Sequence, residues 1–190
     1  MLPLCSELRH ELLARARRAI SEAASGEPAA RSESRHNDDF RRDREENARG
    51  VFVTLHRRGQ LRGCVGQIEA CGPLGEVVER CAIAAAEEDP RFAPVKPAEV
   101  AELEIEISLL SPLEPVAPAA IEVGRHGLVV ERGMQRGLLL PQVATERHWQ
   151  WQRFLEETCV KAGLERDAWK NPGTRTFAFT TEVFSEADDA

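Results

Sequence analysis

No stretch of this 190-residue chain approaches the ~20 consecutive apolar residues that a membrane-spanning helix requires. Its start has no charged region, apolar run and small-residue cleavage site in the order of a secretory signal. No CxxC pair occurs, and the five cysteines, Cys5, Cys64, Cys71, Cys81 and Cys159, are odd in number. That pattern fits neither a secreted disulfide framework nor a zinc ribbon, so a cytoplasmic protein without a membrane is expected. HxH and HExxH are absent, and His10, His36, His56, His126 and His148 are scattered, so no metal site is expected. GxGxxG, Walker and GxSxG motifs are absent too, which lowers the case for dinucleotide enzymes, P-loop NTPases and α/β-hydrolases. Lysine is scarce, at Lys96, Lys161 and Lys170 only, so positive charge is carried by arginine, which favours planar, bidentate contacts. The net charge of −7 argues against broad binding to nucleic-acid phosphates.

What is present organises the chain into three stretches. Leu4, Leu8, Leu12, Leu13 and Ile20 recur near helical spacing, predicting an amphipathic helix over about 6–24 within an N-terminal element at 1–24. Residues 25–49 are rich in charge with Phe40 almost alone as a large apolar residue, and read as a mobile surface loop. A core follows at 50–188, in halves of about 50–112 and 121–184. Val51 to Leu55, a bend at Arg57–Gln60, and Leu61 to Ile68 predict a β-hairpin. Pro73 to Glu88 predicts a helix stopped by Asp89-Pro90, and Leu103 to Leu109 alternates as a half-buried strand does. The second half repeats the order: a hairpin from Gly127 to Leu140 bending at Arg132-Gly133, a helix over about Trp149 to Ala162, and a closing strand from Thr176 to Phe184. The Arg-Gly pair recurs at 62–63 and 136–137. Two related hairpin–helix–strand subdomains forming one compact α+β unit are the expected fold, with a ligand groove near their pseudo-symmetry axis.

Cys64 is the sharpest chemical candidate. Strand alternation directs Arg62, Cys64 and Gly66 to one face. A guanidinium beside a thiol favours the nucleophilic thiolate, and the glycines Gly63 and Gly66 allow a substrate or a second backbone to approach. The competing reading makes Cys64 a small buried hydrophobe, with those glycines marking a bulge. His126, between Arg125 and Gly127, is a candidate base for Cys64, or simply a turn histidine. Glu102, Glu104 and Glu106 fall on one strand face, either as a solvated row or as an acid/base or cation-holding set. Arg91, within Asp89-Pro90-Arg91-Phe92, and Gln142, after the second hairpin, are further groove candidates. Cys81 and Cys159 lie in apolar helix stripes and read as core.

Seven ordered segments resemble the AMMECR domain family, whose prokaryotic members are called AmmeMemoRadiSam system protein A. They are Gly50 to Leu55, Leu61 to Gly66, Asp89 to Phe92, Leu103 to Ser108, Gly124 to Leu128, Gly137 to Ala144 and Thr158 to Leu164. The resemblance runs from about Leu8 to Phe184. It implies two related subdomains and an association with a Memo-type protein and a radical SAM protein. It also implies that the Arg-Gly-Cys segment borders a ligand or active site, and it brings no reaction or cofactor with it. Two departures stand out: the stretch before Gly50 is longer and more charged than the family pattern, and Thr145 to Trp151 replaces its usual Gly-Trp helix opening.

Three functions follow as expectations. The leading one is an enzyme or enzyme component with Cys64 as nucleophile or covalent carrier, Arg62 stabilising an anion or thiolate, and His126 moving a proton. The second is a scaffold whose groove holds a partner segment. The third is a binder of a small anion or nucleotide without turnover.

Overall fold

The computed structural model describes residues 4–26, 50–70 and 72–189, so most of the expected charged loop, and Cys71, lie outside the described residues. The chain divides into two units: Leu2–Leu110 with Glu182–Ala190, and Ser111–Thr181.

The first unit opens with helix α1 (Ser6–Ser25). Its apolar stripe buries Leu12, Leu13, Ala16 and Ile20, and Gly26 ends it in a left-handed cap, φ 70°, whose N–H reaches the carbonyls of Glu22 and Ala23. Strands β1 (Val51–Arg57) and β2 (Gln60–Gln67) form the expected hairpin. The bend needs two residues with positive φ, Arg58 at 53° and Gly59 at 73°, the geometry whose twist matches that of the strands. Helix α2 (Leu74–Glu87) follows, then a 3-10 turn (Pro97–Glu102) and strand β3 (Leu103–Leu110). With β8 (Thr181–Ser185), the sheet order is β2-β1-β3-β8.

Alternation decides what that sheet buries. Val51, Val53 and Leu55 of β1, and Leu103, Ile105, Ile107 and Leu109 of β3, are all buried and pack with α1 and α2 in one apolar cluster. Each such side chain contributes about 1.5–3 kcal/mol when fully withdrawn from water. The intervening residues, Phe52, Thr54 and His56 of β1 with Glu104 and Glu106 of β3, occupy the opposite face and keep partial or full exposure.

The second unit holds β4 (Glu114–Pro115), β5 (Gly127–Arg132), β6 (Gln135–Leu139), the short α3 (Pro141–Glu146), α4 (Trp151–Lys161) and β7 (Arg175–Phe179), with sheet order β4-β7-β5-β6. Leu128 and Val130 pack against Phe154, Leu155 and Cys159 of α4. The wiring of the first unit recurs: a hairpin, a helix, then a strand antiparallel to the hairpin's first strand.

The repeated Arg-Gly pair has a packing cause. A Cβ on Gly63 would stand 2.1 Å from the Ala85 carbonyl oxygen of α2. One on Gly137 would stand 2.3 Å from the Ala162 nitrogen at the end of α4. In both hairpins the second strand passes so close to helix backbone that only glycine fits.

The single closing strand expected from Thr176 to Phe184 is two strands. Ser111 and Thr180 interrupt it: the Ser111 N–H donates to the Thr180 carbonyl at 2.9 Å, and the Thr180 N–H donates to the Ser111 hydroxyl at 2.9 Å. With Thr180 so engaged, β7 stays in the second sheet and β8 joins the first beside β3. Glu102 is also not part of the β3 row; it ends the 3-10 turn and pairs with Arg57 and Arg58 at 3.0 and 2.9 Å.

Candidate active site on the outer sheet face

Cys64 sits on β2, the edge strand of the first sheet, half-buried on the face away from the core. Its sulfur accepts a hydrogen bond from the Thr54 hydroxyl at 3.3 Å, from the residue paired with it on β1. Its backbone N–H points off the sheet edge, where edge strands leave donors unsatisfied, and donates to Asp89 Oδ2 at 2.8 Å. Asp89 is 4% exposed. It also receives Arg91: the Arg91 N–H at 3.1 Å, Nε at 2.9 Å and Nη2 at 2.7 Å. The hydrogen-bonded Arg91 guanidinium holds the Asp89 carboxyl far below the usual carboxylate range, against the opposing push of burial. Arg91 Nη2 lies 3.5 Å from the Cys64 carbonyl oxygen, and its side chain is 54% exposed, so a cation beside Cys64 faces solvent.

Arg62 does not share that setting. The β1–β2 register slips between Leu55 and His56, which pair with Gly63 and Leu61, leaving Arg62 as the extra residue of a bulge. The bulge re-aims its guanidinium to Glu99, at 3.2 Å from both Nε and Nη2, and to the carbonyls of Ala93 at 2.9 Å and Pro94 at 3.3 Å. Glu99 also accepts Arg57 Nη1 at 2.7 Å and the Lys96 N–H at 2.9 Å, and the Arg62 hydrogen bond leads in drawing its carboxyl down to about 2. The strand alternation expected to align Arg62 with Cys64 is therefore interrupted, and Arg91 is the cation beside the cysteine. Gly63 likewise lines no groove: it faces α2, whereas Gly66 lies on the outer face under the Phe52 ring.

The carboxylate of most interest on this face is Glu106. Thr54 pairs with Cys64 on one side and with Glu106 on the other, so Cys64, Thr54 and Glu106 form a lateral row across three strands. Adjacent members of such a row, Cys64 with Thr54 and Thr54 with Glu106, have Cβ atoms about 4.5–5.5 Å apart. Burial pushes the Glu106 carboxyl up, His56 opposes this, and Glu104 and Asp188 add to it. Glu106 is thus the carboxyl on this face whose proton is held more tightly than usual.

His126 and Gln142 belong to the second unit. The His126 Nδ1 accepts the Glu122 N–H at 3.1 Å, and the His126 N–H donates to the Glu122 carbonyl at 2.9 Å. A neutral ring accepting at Nδ1 carries its proton on Nε2, so His126 is set as a donor there rather than as a base. Gln142 lies in the first turn of α3.

Sequence reasoning reached Cys64 and Arg91, but not Thr54, and took Glu106 only as one of an acidic row. Alternation places Thr54 and Glu106 each on the polar phase of its strand, but not in line with Cys64, which takes the register of three strands. Among the described residues no group of three or more His, Cys, Asp or Glu could hold a metal ion, and no helix is long and apolar enough to cross a membrane.

Fold and site together define an α+β protein of antiparallel sheets with a half-buried cysteine on the sheet face away from the core, beside a threonine hydroxyl, the Asp89 carboxylate and an arginine. The chain belongs to the AMMECR1 family, whose model matches residues 13–184. A Methanothermobacter thermautotrophicus protein is 44% identical over 191 residues, spanning 97% of each chain. One from Thermococcus gammatolerans is 49% identical over 148 residues, 72% of each. The crystal structure of an uncharacterised Pyrococcus horikoshii protein superposes with a TM-score of 0.83 at 39% identity, covering 96% of this chain and 93% of that one.

Proposed function

We propose that this protein is an enzyme, or an enzyme component, that uses Cys64 as a nucleophile or covalent carrier. The observation that supports this best is the Cys64–Thr54–Glu106 row. A nucleophilic thiol needs a route for its proton, and a hydroxyl can accept on one side while donating on the other. Thr54 stands between Cys64 and its other cross-strand partner, Glu106, whose raised pKa brings a carboxyl closer to the range where it both takes and returns a proton. Arg91 replaces Arg62 as the anion-facing group, leaving Arg62 to brace the bulge through Glu99. A Memo-type protein and a radical SAM protein, implied by the family resemblance, are its proposed partners.

Iodoacetamide labelling of Cys64, followed by mass spectrometry in wild type, Thr54→Val, Glu106→Gln and Arg91→Ala, tests the reading. The row predicts that Thr54→Val and Glu106→Gln each change the labelling rate and flatten its pH profile. Identical rates and profiles in all four proteins would leave Cys64 as an ordinary surface thiol and remove the catalytic reading.

A further inference from the structure

The second unit contains a cleft that the row around Cys64 does not involve. It has a volume of about 670 Å³, within the roughly 300–1,000 Å³ typical of small-molecule sites. Four cations line it, Arg147, Arg153, Lys161 and Arg166, against one lining carboxylate, Glu157. The formal balance is +3 in a chain whose net charge is −7.

The arrangement is more specific than a basic patch. Glu157 is the hub: Arg153 Nη2 lies 2.7 Å from it, Arg166 donates to it through Nη1, and its carboxyl is held low, first by the Arg166 hydrogen bond and then by the charges of Arg153, Arg166 and Arg147. Arg153 and Arg166 are thereby fixed in place before any ligand arrives. Arg147 and Lys161 have no ion-pair partner among the described residues; the Arg147 guanidinium lies over the Trp149 ring, 5.4 Å from its centroid. Backbone geometry sets that pair. Helix α3 ends with His148 at φ 52°, the His148 N–H donating to the Thr145 carbonyl and the Trp149 N–H to the Ala144 carbonyl, a left-handed cap that brings Arg147 and Trp149 to the cleft. An apolar wall completes it: Leu139, Val143 and Val160, the last 43% exposed although apolar.

We propose that this cleft binds a small anionic ligand with a planar body, of the nucleoside-phosphate class. The phosphate would take Arg147 and Lys161, neither of which is ion-paired to Glu157, while the planar body lies against the Arg147–Trp149 pair and the apolar wall. A free inorganic anion would use only the cations, and a neutral planar molecule only the wall.

The test is calorimetric titration of the full chain with adenosine 5′-monophosphate, adenosine and inorganic phosphate, in wild type, Arg147→Gln and Lys161→Gln. These two substitutions leave the Glu157 ion pairs intact, and thermal unfolding checks that each variant is folded. Expected is a Kd for the nucleotide below about 1 mM, at least about tenfold weaker binding of adenosine and of phosphate, and a loss of roughly fivefold or more in each variant. Affinity should fall as salt rises. Absence of nucleotide binding at millimolar concentration, equal affinity in the variants, or equal affinity for phosphate alone would overturn the proposal. None of these outcomes depends on Cys64, which lies in the other unit.

Discussion

Replacing Gly63 by alanine sets two physical effects against each other. Glycine in a strand interior costs backbone entropy, so by propensity alone alanine would stabilise β2 by about 0.5–1 kcal/mol. The packing says the opposite: the added Cβ would lie 2.1 Å from the Ala85 carbonyl oxygen and 3.1 Å from its carbon. The obstacle is helix backbone, which cannot rotate away as a side chain would, so α2 must shift by about 1 Å to restore ordinary contact. Overpacking of this kind costs about 1–3 kcal/mol, and a rigid obstacle argues for the upper end. For a chain of this size each kcal/mol moves Tm by about 2–4 °C, so a fall of about 6–12 °C is expected for Gly63→Ala. Thermal unfolding followed by circular dichroism measures it. Gly59→Ala is the control, because Gly59 has positive φ but nothing within 4 Å of an added Cβ; it should cost only the left-handed backbone penalty of about 1–2 kcal/mol. A Tm for Gly63→Ala equal to or above wild type would refute the argument that helix contact dictates glycine in the Arg-Gly-Cys segment.

Glu99→Gln removes the carboxylate that gathers Arg62, Arg57 and the Lys96 N–H, and should cost about 1–3 kcal/mol in urea unfolding, because Arg62 loses its ion pair and keeps only the Ala93 and Pro94 carbonyls. The pH dependence of stability follows from the same groups. Glu99 and Asp89 have lowered folded pKa values, so their stabilisation is present above the ordinary carboxyl range near 4.5 and is lost as pH falls toward about 2; midpoints of urea unfolding from pH 6 to 2 should show it, with a smaller drop in Glu99→Gln. Glu106 behaves oppositely: its raised pKa means that the folded state disfavours its charge, so Glu106→Gln should raise Tm at pH 7, with the gain shrinking as pH falls and wild-type Glu106 becomes neutral. Asp89→Asn removes the charge that holds Arg91 and weakens the acceptor of the Cys64 N–H; about 1–3 kcal/mol of destabilisation and faster labelling of Cys64 are expected.

Elements bounded by local signals were legible in the sequence. The hairpin bend at Arg58-Gly59, the α2 stop before Asp89-Pro90 and the alternation of β3 each follow from neighbouring residues. Features set by partners distant in the chain were not. Arg62 leaves the Cys64 face because a bulge and Glu99, 37 positions away, re-aim it. The closing strand breaks in two because Thr180 is held by Ser111, 69 positions earlier. Thr54 and Glu106 join Cys64 only once the register of three strands is fixed, and strand alternation alone leaves register open. Cys64 drew attention through its glycine and arginine neighbours, yet the residues that surround its thiol and amide are Thr54, Asp89 and Arg91.

The central claim is that Cys64 is a reachable thiol poised on an outer sheet face, and the rank order of cysteine labelling in the native protein tests it most directly. Cys81 and Cys159 are buried, with burial pushing both thiols up, and serve as the protected references; Cys5 is exposed and serves as the open one. With iodoacetamide under native conditions, quenched over time and read by mass spectrometry, the account predicts that Cys64 is modified while Cys81 and Cys159 stay untouched, and faster in Asp89→Asn. Modification of Cys64 only together with Cys81 and Cys159, at the rate of global unfolding, would contradict it.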